Sequence, residues 1–155
     1  MEKREYWVYK FNELSEEGKR KAIERYSDIN VDFEWWDSTY DDAKNIGLEI
    51  TEFDLYCRTI RGKFTMQPED VIKKIFSDHG KGCETYKTAK KWKEELKLIQ
   101  GDGEYDDLSE DFLKELLEDY KTILQNEYEY LTEEEQIRDT LVSNEYDFTA
   151  DGKID

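Results

Sequence analysis

Apolar and polar positions along the chain follow two periods, and the changes between them mark the elements. From Glu5 to Phe11 the side chains alternate as in a β-strand, with Trp7, Tyr9 and Phe11 on one face and Tyr6 and Val8 on the other. Ser15 then stands as an N-cap, with Glu16 and Glu17 in the first turn where the helix dipole favours acids. Leu14, Ala22, Ile23 and Tyr26 give that helix a narrow apolar stripe as far as about Ser27. A second helix is predicted from a cap at Asn30 or Asp32, because Phe33, Trp36, Tyr40 and Ala43 recur at i, i+3, i+7 and i+10. Gly47 is its left-handed stop. Two neighbouring strands follow, over residues 48–56 and 58–65, with Cys57 near their join. Arg58, Arg61 and Lys63 make the second a basic edge strand.

Beyond residue 65 the period becomes helical. Pro68 suits N1, Met66 and Val71 form a staple, and Val71, Ile72, Ile75 and Phe76 make a buried face that ends before Gly80 and Gly82. From Glu84 to Gln100, Tyr86, Ala89, Trp92, Leu96 and Ile99 point inward, and the outer side is lysine-rich from Lys87 to Lys97. Gly101 to Asp107 reads as an acidic loop. Ser109 is then the expected cap of a long helix whose core face carries Phe112, Leu116, Leu117, Tyr120, Ile123 and Leu124. Thr132 with Glu135 forms a capping box for a last helix to about Asn144, and the tail alternates and turns at Asp151–Gly152. The order predicts an α+β fold: a small, largely antiparallel sheet of about four strands covered by helices, with a helical sub-bundle in the C-terminal half. One domain is expected, made of a β-α-α-β-β module (1–65), a helical part (66–145) and a closing strand or hairpin (146–155).

Composition changes this picture mainly through charge. Aromatic residues reach 14%, enough for a core built from a few large side chains although only 37% of the chain is apolar. Forty acidic against 23 basic residues give a formal charge of −17. That balance excludes direct duplex binding, which depends on Lys and Arg neutralising phosphates, and adhesion to anionic membranes. It favours a basic protein partner, against the alternative that the acids serve solubility alone. MEKREYWVYKF is too polar for a signal-peptide core, and no apolar run reaches membrane-spanning length. The cysteines, Cys57 and Cys83, show no pairing pattern, so reduced thiols and a cytoplasmic location in a host cell are expected.

Catalytic motifs are missing. There is no phosphate-binding glycine loop, no nucleophile elbow, and His79 is the single histidine available as a base. His79, Cys57 and Cys83 could supply three zinc ligands, but no Cys-x-x-Cys accompanies them, and buried thiols are the simpler reading. Asp147 to Ile154 resembles half a calcium loop without the position-12 carboxylate, so turn chemistry is expected there. The expectation is therefore a protein that is not an enzyme and needs no cofactor or metal.

The candidate binding chemistry lies in carboxylate rows. An i, i+4 pair lies about 6 Å apart along a helix axis, close to the separation of successive phosphates on a strand. Glu34, Asp37 and Asp41 with Asp42, and Asp111, Glu115 and Glu118, could therefore imitate a phosphate backbone. The competing reading is an ordinary solvated helix face. Trp35 lies off the Phe33–Trp36 stripe and is either packed under a neighbouring helix or an aromatic anchor for a partner.

The start YKFNELSEEGKRKAIERY, the segment DINVDFEWW, the helix end IGLEI, the following Phe53–Asp54 and the tail YDFTADGK resemble, in this order, a set of small phage and prophage proteins. Tyr9, Phe11, Glu13, Leu14, Asp28, Asn30, Asp32, Trp35, Trp36, Gly47, Phe53, Asp54, Phe148, Asp151 and Gly152 carry the match. Such proteins are sometimes labelled antitoxins, and a small, strongly acidic phage protein is similar in character to anti-CRISPR and anti-restriction inhibitors, so by analogy of context and charge a phage-borne anti-defence role is expected. An acidic inhibitor would then enter a basic nucleic-acid cleft of a host nuclease by phosphate mimicry. The alternative is an antitoxin-like or regulatory module that binds a protein through an aromatic surface around Trp35.

Overall fold

The structure, a computed structural model, describes residues 6–99 and 101–155; the expected strand start at Glu5 and helix end at Gln100 lie outside the described residues. Among the described residues, six α-helices and one two-stranded antiparallel sheet make an α+β protein. The helices are α1 (Glu16–Arg25), α2 (Asp37–Asn45), α3 (Pro68–Asp78), α4 (Glu84–Lys97), α5 (Asp102–Leu131) and α6 (Glu134–Ser143). The strands are β1 (Leu48–Asp54) and β2 (Thr59–Phe64). The chain forms two compact units, one of the segment up to Trp35 with Glu127–Asp155, the other of Trp36–Asn126. These divide the chain elsewhere than at residues 65 and 145.

The unit Trp36–Asn126 follows local sequence signals closely. Gly47 takes φ +89° after α2, a conformation that a β-carbon disfavours, and the chain passes directly into β1. β1 and β2 pair in register from Leu48 with Phe64 to Asp54 with Thr59, with an irregularity between Ile50 and Glu52. Arg61 pairs with Glu52 at 3.2 Å and Lys63 with Glu49 at 3.8 Å, so the basic strand is balanced across the ladder. Pro68 occupies the first turn of α3, and Val71, Ile72 and Ile75 are buried. They join Ile46, Leu48, Ala89, Trp92, Phe112, Leu116 and Tyr120 in one core. Each fully covered aliphatic side chain here contributes about 1.5–3 kcal/mol.

The other unit is built around Phe148, fully buried in the tail. Its ring meets Phe11 at 6.0 Å, Tyr26 at 6.5 Å and Tyr146 at 6.4 Å. Its backbone exchanges two hydrogen bonds with Tyr9, at 2.9 and 2.8 Å. Ser15 Oγ accepts from the Gly18 amide at 3.1 Å, so α1 has the expected cap.

Five expectations are corrected. Among the described residues the sheet has two strands, not about four: the segment before Phe11 makes one isolated bridge, Tyr9 with Phe148, and the tail adds one between Phe148 and Ile154. Phe11–Glu13 is a 3-10 turn, and Trp7 is 83% exposed, so the alternation there does not bury a face. α2 begins at Asp37 rather than near Asn30, and Phe33 is exposed. The Asn30 side chain is engaged elsewhere: its amide donates to the Leu131 carbonyl and its oxygen accepts from Thr140. α5 starts at Asp102, seven residues before Ser109, so most of the expected acidic loop is helix. Thr132 donates to the Tyr128 carbonyl at 2.8 Å instead of capping α6, whose N-cap is Glu133.

Candidate functional site

The early start of α5 joins acids that the sequence had split between a loop and a helix. Glu104, Asp107, Asp111, Glu115 and Glu118 follow each other at steps of three or four, so they share one helix face over about 21 Å. The core residues Phe112, Leu116 and Tyr120 lie on the other side of the same helix.

The members of the row are not equivalent. Asp107 and Asp111 are exposed, with no basic partner among the described residues. Glu118 is exposed but receives Lys121 at 2.7 Å. Glu115 is half-buried: it accepts from the Trp92 indole at 2.7 Å and from Lys91 at 3.0 Å. Glu115 therefore anchors α4 against α5, and its charge is spent inside the unit. Asp119, one residue beyond Glu118, accepts from Thr88 at 2.5 Å. Burial and the neighbouring carboxylates of Glu115, Glu84 and Glu118 hold its carboxyl above the usual range.

On α2, Asp37 and Asp41 are exposed. Asp42 enters a network that sequence spacing did not reveal. It accepts from the buried Tyr120 hydroxyl at 2.8 Å and faces His79 Nε2 at 3.1 Å. His79 Nδ1 meets the Thr85 hydroxyl at 2.6 Å. A carboxylate only accepts, so Nε2 carries the proton shared with Asp42, and a neutral ring accepts from Thr85 through Nδ1. Burial, then the Asp42 charge, raises the Tyr120 phenol far above its ordinary value, so it stays a donor.

An Asp–His–Thr chain has the order of a catalytic relay, but its geometry is closed. Thr85 is 2% exposed and the His79 side chain 8%. No buried side-chain nitrogen or oxygen among the described residues lacks a partner. The network ties α2, the end of α3, α4 and α5 together, and it offers no hydroxyl to a substrate.

Glu34 lies in the irregular segment before α2, in the other unit, so it does not continue the Asp37–Asp41 row along a helix. Trp35 is half-buried, its ring 5.8 Å from that of Tyr128. Cys57 sits in the β1–β2 turn, where Asp54 accepts its amide at 3.0 Å, and Cys83 precedes α4. Both thiols are exposed rather than buried. Among the described residues no group of three or more His, Cys, Asp or Glu is placed to hold a metal ion. Thr149 donates to Asp151 within the tail turn, as expected of turn chemistry. Among the described residues no helix is long and apolar enough to cross a membrane.

No family model, no curated protein and no solved structure matches the chain.

Proposed function

We propose that this chain is a non-catalytic inhibitor that occupies the basic cleft of a nucleic-acid-cleaving enzyme, with the acidic face of α5 standing in for a phosphate backbone. The observation that carries this reading is the exposed pair Asp107 and Asp111 on one face of α5, in line with Glu104 and Glu118, whereas Glu115 on the same face is engaged by Trp92 and Lys91. Asp37 and Asp41 add exposed acids on α2, and Asp42, though half-exposed, is committed to Tyr120 and His79. The net charge of −17 supports the same direction, because it steers encounter with a positive cleft. The resemblance to phage-borne proteins directs the choice of targets to restriction and CRISPR nucleases.

The test is to titrate purified nucleases of these two kinds with the protein at low and high salt. Inhibition is expected to be stoichiometric and to weaken as salt rises. The double reversal Asp107→Lys/Asp111→Lys alters two exposed side chains, so the fold survives and inhibition falls at least about tenfold. Inhibition that ignored both ionic strength and these reversals would refute phosphate mimicry.

A further inference from the structure

Against its acidic background the unit Trp36–Asn126 carries a basic cavity. It lies between α3 and α4, has a volume of about 490 Å³, and is lined by Phe76, Tyr86, Lys81, Lys87, Lys90 and Lys93. Its size falls in the range of small-molecule sites, about 300–1,000 Å³. On α4, Tyr86, Lys90 and Lys93 stand at i, i+4 and i+7, so they share a face, and Lys87 flanks it.

The floor is aromatic. The rings of Phe76 and Tyr86 lie 4.8 Å apart at 44°, and both residues are half-buried, leaving part of each ring toward the cavity. Lys93 Nζ sits 5.4 Å over the Phe76 ring. Lys87 has a carboxylate partner, Glu84 at 3.2 Å. Lys81, Lys90 and Lys93 have none within 4.0 Å among the described residues. The one acid in the lining, Glu94, is turned to Lys97 at 3.3 Å. A chain with 40 acids thus leaves three ammonium groups unneutralised around one aromatic-floored cavity.

We propose that this cavity binds a nucleotide, its planar base against Tyr86 and Phe76 and its phosphate among Lys81, Lys90 and Lys93. Ammonium groups on flexible stems suit a compact phosphate dianion. A ring stacked on an aromatic face adds a contact that inorganic phosphate cannot make. A polymeric nucleic acid does not fit, because its remaining phosphates would meet the net charge of −17 outside the cavity. The proposal is independent of the acidic row on α5, and each can fail without the other.

The experiment is isothermal titration of the full chain with AMP, adenosine, inorganic phosphate and a single-stranded oligodeoxynucleotide. AMP is expected to bind at least about tenfold more tightly than adenosine or phosphate, a gap of about 1.4 kcal/mol. Lys90→Ala/Lys93→Ala removes two exposed side chains and is expected to weaken AMP at least about tenfold, with the circular dichroism spectrum unchanged. Phe76→Leu keeps an apolar floor beside Tyr86 and is expected to weaken AMP while leaving inorganic phosphate unchanged. AMP binding no better than phosphate, indifference to the double lysine substitution in a folded variant, or absence of AMP binding overturns the proposal. So does an oligonucleotide that binds more tightly than AMP.

Discussion

The tail is held by a close approach of two backbones, and replacing Gly152 with alanine tests that contact directly. Gly152 has φ +80°, and an added β-carbon would lie 2.4 Å from the Gly18 carbonyl oxygen and 2.7 Å from the Ala22 amide nitrogen. Both atoms belong to the backbone of α1, so no side chain can rotate to make room. The left-handed conformation costs an L-residue about 1–2 kcal/mol. Forcing the backbones apart adds about 1–3 kcal/mol of overpacking. Gly152→Ala is therefore expected to cost about 2–5 kcal/mol. With a urea m-value of about 2 kcal/mol/M, the unfolding midpoint should fall by about 1–2.5 M. Circular dichroism and tryptophan fluorescence in a urea series measure this. Gly80→Ala is the control: nothing lies within 4 Å of its added β-carbon and its φ is not positive, so stability should change by less than about 0.5 kcal/mol or rise slightly. Equal midpoints for the two variants would refute the account of how the tail docks on α1.

Two further outcomes follow from the polar network of the other unit. Tyr120→Phe keeps the buried ring and removes the 2.8 Å hydrogen bond to Asp42, whose half-exposed carboxylate can turn to water; a loss of about 0.5–1.5 kcal/mol in urea unfolding is expected, and one above about 3 kcal/mol would contradict this solvent access. Because the folded state raises the Asp119 carboxyl above its ordinary 3.8, the stability tied to its protonated form is present below that value and lost as pH rises through the raised one. Asp119→Asn, which can still accept from Thr88, should thus equal or exceed the parent near neutrality, the difference vanishing on acidification; a variant less stable than the parent at neutral pH would refute this sign.

Sequence by itself determined what short-range physics governs. Ser15 caps α1, Gly47 stops α2, Pro68 opens α3, and most of the periodic apolar residues of α3, α4 and α5 are buried or packed on the core, Ile123 being the exception at 39% exposed, because capping, backbone sterics and helical spacing act within a few residues. The carboxylates of α5 were visible as a partial row, and the lysine-rich side of α4 was visible as a patch.

Tertiary structure decided where local signals had competitors. Asn30 and Thr132 have the chemistry of caps, but each side chain is taken by a better-placed carbonyl or hydroxyl, at Leu131 and Thr140 for Asn30 and at Tyr128 for Thr132. The glycines of GDGEYDD lower helix propensity and suggested a loop; yet Tyr105 reaches Gln67 and Glu69 at 3.0 Å each, and that anchorage accompanies a helix already formed at Asp102. The alternation before Phe11 found one bridge instead of a sheet, since a strand needs a paired neighbour and not only a period. Asp42 and His79 stand 37 positions apart, and no spacing rule links them. Only the packing of α2 against the helices that follow brings carboxylate, imidazole and phenol within hydrogen-bond reach.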